Sequence, residues 1–144
     1  MCAGMCVVVG RHLPASPRLL PVRSQVYYSS DGATWVEAVA HSASPFPGRY
    51  WMGFAVFQGK LWLFGGALST GAILATVYTS SDGFTWSLAP NSLPGPLWAF
   101  TAVVTPDGSV LLTTGGHSGS GVVDTQYSYP GLFNAFRPLS FLGF

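Results

Sequence analysis

Seven residues occur twice in this chain, as Ser-Ser-Asp-Gly-Ala-Thr-Trp at Ser29–Trp35 and as Ser-Ser-Asp-Gly-Phe-Thr-Trp at Ser80–Trp86. The copies start 51 positions apart (80 − 29), and other features keep nearly that distance. Leu-Trp-Leu-Phe-Gly-Gly at Leu61–Gly66 is answered by Leu-Leu-Thr-Thr-Gly-Gly at Leu111–Gly116, 50 positions on (111 − 61). Phe46–Gly48 is answered by Leu93–Gly95, and the run Phe54–Leu61 by a slightly longer one from Phe100 to Leu112. Independent features that hold one order and one spacing mark a structural repeat.

Each unit reads as four short strands. In the central one, Tyr50–Phe57 is an apolar run, Gln58 and Gly59 form a hairpin turn, and Lys60–Phe64 is closed by Gly65 and Gly66. A loop of small residues, Ala67–Leu74, leads to a strand near Ala75–Ser80; Ser81, Asp82 and Gly83 turn into Thr85–Leu88, and Pro90 stops it. Before it, Met5–Gly10 looks like a second strand with none ahead of it, followed by Gln25–Ser30 and Thr34–Ala38. After it come Ala99–Thr105, Ser109–Thr114 and Thr125–Tyr129, where the pattern fades. Composition agrees: 49% of residues are hydrophobic, 15% aromatic and only 8% charged, which suits alternating strands better than surface helices. Four-stranded units with a period near fifty point to blades of a β-propeller. The expected fold is all-β, a partial propeller of about three antiparallel blades. A partial blade spans 1–43, a complete one 44–91 and a partial one 92–144.

Pro45–Gly66, Pro-Phe-Pro-Gly-Arg-Tyr-Trp-Met-Gly-Phe-Ala-Val-Phe-Gln-Gly-Lys-Leu-Trp-Leu-Phe-Gly-Gly, resembles the core of a kelch repeat, with Tyr78 and Trp86 matching the family's later aromatic pair. The likeness rests on Arg49, Gly59, Gly65, Gly66, Tyr78 and Trp86. It weakens in the third unit, where Pro96 stands in place of the arginine. The heptapeptide is similar to the Asp-box of sialidase-type propellers, one residue shorter between Asp and Trp. In such a turn Asp31 and Asp82 accept hydrogen bonds from nearby main-chain N–H groups, Gly32 and Gly83 supply the permissive backbone, and Trp35 and Trp86 pack on a neighbouring sheet. Two equivalent turns in different blades lie too far apart to form one acid–base pair, so the heptapeptide is a structural part. Gly115 and Gly116 repeat the structural di-glycine.

In a propeller the blade connections and the loops between second and third strands share one face. Arg11, His12, Arg18, Arg23, Arg49, Trp51, Trp98 and His117, with His41, fall there, whereas Asp31, Asp82, Asp107 and Lys60 fall on the other. The first face is the expected binding face, with Trp51 and Trp98 at corresponding blade starts offering rings to a sugar or a proline-rich peptide. For each residue the plain alternative is local structure: Arg49 pairing at the start of its blade, and the tryptophans packing at core or rim.

Several functions lack their residues. A net charge of +1 gives no electrostatic case for nucleic acid or an anionic membrane. Cys2 and Cys6 on an extended segment would lie roughly 13 Å apart, too far for a disulfide, and without a histidine at ligand spacing they make a poor metal site. Met1–Val9 is too short to span a bilayer and lacks the charged start of a signal peptide. Gly115–Gly121 lacks the Lys-Ser/Thr ending of a phosphate-cradling loop and the strand-to-helix elbow of a hydrolase. No catalytic set and no cofactor are expected. The resemblance implies a non-catalytic module that binds a protein partner. The alternative is a piece of a carbohydrate-active propeller, sialidase-like or galactose-oxidase-like, whose catalytic residues lie mostly outside this chain. Three blades do not close a ring, so the arc is expected to need further blades, a partner or a second copy.

Overall fold

The computed structural model describes residues 8–9, 24–122, 126–129 and 137–138. Cys2, Cys6, Arg11, His12, Arg18 and Arg23 lie outside them. The described residues are all-β but for one short 3-10 turn at His41–Ala43, and every strand pair is antiparallel. Sheet 1 holds β1 (Val8–Val9), β2 (Val26–Tyr28) and β3 (Val36–Val39) in that order. Sheet 2 holds β4 (Gly53–Phe57), β5 (Lys60–Phe64), β6 (Val77–Ser80) and β7 (Ser87–Leu88), again in sequence order. Sheet 3 runs β8 (Thr101–Val104), β9 (Leu111–Thr114), β12 (Gln126–Tyr129) and β13 (Arg137–Pro138); a small ribbon, β10 (His117–Ser118) with β11 (Gly121–Val122), rises between its second and third strands. None of the sheets closes on itself.

The third unit is more complete than its sequence suggests. β13 pairs with β12 through Tyr127–Pro138 and Ser128–Arg137, giving a fourth strand where no Ser-Ser-Asp-Gly turn announces one. Two residues of pairing suffice for it, too few to leave a period in the sequence. The strands of the central unit are shorter than expected at their starts. Trp51 adopts φ 52°, which breaks the pleat ahead of Gly53, and Thr85 gives its N–H to the Asp82 carboxylate rather than to a neighbouring strand.

Sheet 2 lies between the other two, which explains why Leu61–Phe64 is continuously apolar where a half-buried strand would alternate. Leu61, Leu63 and Trp86 face Val26 and Val39 of sheet 1 across Phe46. Trp62, Phe64, Ala55, Phe57 and Val77 face Leu111 of sheet 3, with Leu93 and Leu97 of the connecting segment closing the gap. Each buried large side chain contributes about 2 kcal/mol. The two seams hold the three sheets in one stack.

Candidate functional site

The two heptapeptides fold identically. The Asp31 carboxylate accepts from Ala33 N at 2.8 Å, Thr34 N at 2.7 Å and the Ser29 hydroxyl at 2.9 Å, while Ser29 Oγ accepts from Gly32 N at 2.8 Å. In the second copy Asp82 accepts from Phe84 N at 2.8 Å, Thr85 N at 2.7 Å and the Ser80 hydroxyl at 3.0 Å. Gly32 and Gly83 take φ 75° and 80°, as the turn requires. These carboxylates are consumed by their own turns, and no described carboxylate is bonded to either of them.

Main-chain donors hold Asp31 well below the usual carboxylate range and Asp82 at about 2; Asp107, in the β8–β9 hairpin, is held at about 2 by the Ser109 and Thr105 hydroxyls and Ser109 N. A depressed carboxylate stabilises the fold fully above its ordinary value of 3.8, and that contribution disappears as pH falls towards about 2. Thermal unfolding followed by circular dichroism is therefore expected to show a flat midpoint down to about pH 4 and a fall below it. Asp82→Asn should make that acid-side fall shallower; an unaltered slope would remove the turn from the account.

The residues expected on the connecting-loop face meet different fates. Arg49 is fully buried: its guanidinium donates to Gly65 O at 2.8 Å and Thr76 Oγ1 at 3.1 Å, and lies 5.3 Å from the Tyr78 ring centroid and 5.9 Å from that of Phe46. Burial lowers it to about 10, so it stays cationic at neutral pH while being out of reach of any outside anion. Trp51, Trp98 and His117, distant in sequence, come together. The Trp51 and Trp98 rings stack at 4.7 Å between centroids and 27° between planes; Tyr50 meets Trp51 edge-on at 5.2 Å, and His117 lies 5.3 Å from Trp98.

The backbone builds this cluster. Tyr50 and Ala67 exchange main-chain bonds of 3.0 and 2.9 Å, and Trp98 and His117 exchange bonds of 3.0 and 2.8 Å. Register therefore makes Tyr50, not Trp51, the counterpart of Trp98; Trp51 corresponds to Ala99, and the two share the left-handed conformation at φ 52° and 54°. Ala99 N donates to Trp51 O at 2.8 Å, tying the segment ahead of β8 to the one ahead of β4. Non-glycine residues held in that region store strain of order 1–3 kcal/mol, and at Trp51 the result is a large ring 59% exposed on a fixed backbone. Tyr50 carries no signal of its own in the sequence, where it opens the apolar run Tyr50–Phe57 as an ordinary strand residue.

The cluster offers ring faces for stacking. No described carboxylate belongs to it, and the described residues hold no group of three or more His, Cys, Asp or Glu placed for a metal. Gly115–Gly121 takes the form of the β10–β11 ribbon, with Ser118 and Ser120 hydroxyls bonded to each other at 2.8 Å, rather than a loop of inward N–H groups. On the opposite side Lys60 lines a shallow polar cleft of about 200 Å³ with Thr79, Ser80, Ser81, Thr85 and Ser87. No described helix is long and apolar enough to cross a membrane. No protein-family model matches the chain, and no curated protein matches it.

Proposed function

We propose that this chain is a segment of a kelch-like β-propeller and serves as a non-catalytic module that binds an extended, proline-containing peptide through the Trp51–Trp98 cluster. Three stacked antiparallel sheets with one repeated turn and one repeated di-glycine support the propeller reading. The observation that carries the function is the exposed Trp51 ring, stacked on half-buried Trp98 and set on a strained backbone. A flat ring fixed in place gives up little conformational freedom on binding and offers its face to a pyrrolidine ring. The Asp turns and Lys60 sit elsewhere, and no described Asp, Glu or Lys side chain belongs to the cluster.

Arrays of proline-rich peptides and of oligosaccharides, probed side by side with the 144-residue chain, test this. Binding to peptides that Trp51→Ala weakens at least tenfold, with an unchanged melting midpoint, is the expected result. Binding to oligosaccharides alone would favour the second reading, a piece of a carbohydrate-active propeller, since a sugar ring stacks on the same surface. A folded chain that binds neither would end the proposal.

A further inference from the structure

On sheet 1 Tyr28 pairs with Val36, and 51 residues on (79 − 28 and 87 − 36) Thr79 pairs with Ser87 on sheet 2. The place on sheet 1 is apolar, and the Asp turn of the next unit lays a ring against it: Phe84 meets Tyr28 edge-on at 5.3 Å between centroids. On sheet 2 the same two positions carry hydroxyls. Strand formation does not ask for that exchange, since Tyr and Val suit a strand better than Ser. Register carries the polar character further. Trp62, Thr79 and Ser87 stand side by side across β5, β6 and β7, so their side chains share one face, and Lys60, two residues before Trp62, projects from it as well. Here lies the cleft of about 200 Å³ lined by Lys60, Thr79, Ser80, Ser81, Thr85 and Ser87.

We propose that this cleft binds a tetrahedral oxyanion, a phosphate group either free in solution or carried as a small monoester. Every lining side chain can donate a hydrogen bond, one of them is a cation, and no described carboxylate lines the cleft. Asp82, in the turn that borders it, accepts from the Ser80 hydroxyl at 3.0 Å, Phe84 N at 2.8 Å and Thr85 N at 2.7 Å, so its charge is met within its own turn. Ser80 is thereby committed. Among the described residues, no hydrogen bond engages the hydroxyls of Thr79, Ser81 or Ser87. An ammonium beside three such hydroxyls matches the several acceptor oxygens of a phosphate, and the charge on both partners makes those bonds stronger than neutral ones. A neutral ligand would leave the ammonium unanswered. The lining comes from β5, β6, β7 and their connecting turn alone, away from Trp51, so the site depends on neither the peptide reading nor the propeller reading.

Equilibrium dialysis of the full 144-residue chain against radiolabelled inorganic phosphate, at constant ionic strength in sodium chloride, tests this. Saturable uptake is the expected result, weakened about tenfold by Lys60→Gln, which removes the charge, and about fivefold by Ser87→Val, which removes one hydroxyl and installs the side chain that sheet 1 carries there. Each variant is compared with its β-sheet circular dichroism retained, and Ser87→Val decides should Lys60→Gln fail to fold. Competition then separates the two sources. O-phosphoserine that displaces the label at a lower concentration than unlabelled phosphate identifies a monoester as the ligand, and the reverse order identifies the free ion. Absence of saturable uptake, uptake that glucose displaces as well as phosphate does, or uptake indifferent to either substitution would each overturn the proposal.

Discussion

Arg49→Ala should lower the midpoint of thermal unfolding by about 10 °C, from a loss of roughly 3 kcal/mol. Arg49 holds three segments of the chain to one point. Its guanidinium donates to Pro47 O in the connection, to Gly65 O at the end of β5, and to Thr76 beside β6. It also lies across Tyr78 and Phe46. Truncation leaves the buried Gly65 carbonyl without this donor, at a desolvation cost of about 1–3 kcal/mol, removes the part-buried bonds to Pro47 O and Thr76 Oγ1, and opens a void beneath two rings. Arg49→Lys should recover less than half of the loss, because an ammonium cannot fork between Gly65 O and Thr76 Oγ1 nor lie flat on the rings. Chemical denaturation of the three proteins checks this; a lysine variant as stable as the wild type would show that charge alone, and not the planar fork, is what the site uses.

Arg49 also marks where the sequence was legible and where it was not. Its place in the repeat pattern put it on the expected binding face, with local pairing as the alternative, and its burial answers to the alternative; the same pattern located β5, the Gln58–Gly59 hairpin and both Asp turns to within a residue or two. Those elements are fixed by local chemistry: a short apolar run, left-handed turn residues, and a carboxylate two residues from the N–H it accepts. What could not be read is fixed between units. β13 is held by two residues of pairing with β12. The Trp51–Trp98 stack depends on a shift of one residue at the start of the repeat unit, set by Tyr50 bonding Ala67 while Trp98 bonds His117. Nor does the heptapeptide distinguish Trp35 from Trp86, although one is open and the other covered; the difference is made by a neighbour far away in the chain.

Gly65→Ala should be more damaging still, leaving the chain unfolded or molten at 37 °C. Gly65 sits at φ 51°, where an L side chain costs about 1–2 kcal/mol, and a Cβ there would lie 2.3 Å from Leu97 O and 3.2 Å from Leu74 O. Both obstacles are main chain, so no rotamer relieves the overlap. The Leu97 carbonyl cannot retreat either, because it accepts the Gly66 N–H at 2.8 Å, and Leu97 is itself buried in the seam between sheets 2 and 3. Gly65 N donates to Thr76 O, and its carbonyl takes the Arg49 guanidinium. Displacing this residue therefore disturbs the seam and the arginine anchor at once. Gly59→Ala separates the two causes: Gly59 has φ 69°, but a Cβ there would meet nothing within 4 Å. That variant should lose only about 1 kcal/mol, the conformational part alone. Equal losses from Gly59→Ala and Gly65→Ala in denaturant titrations would mean that the close approach of Leu97 is soft, and that the di-glycine is retained for its turn rather than for the packing of one sheet on the next.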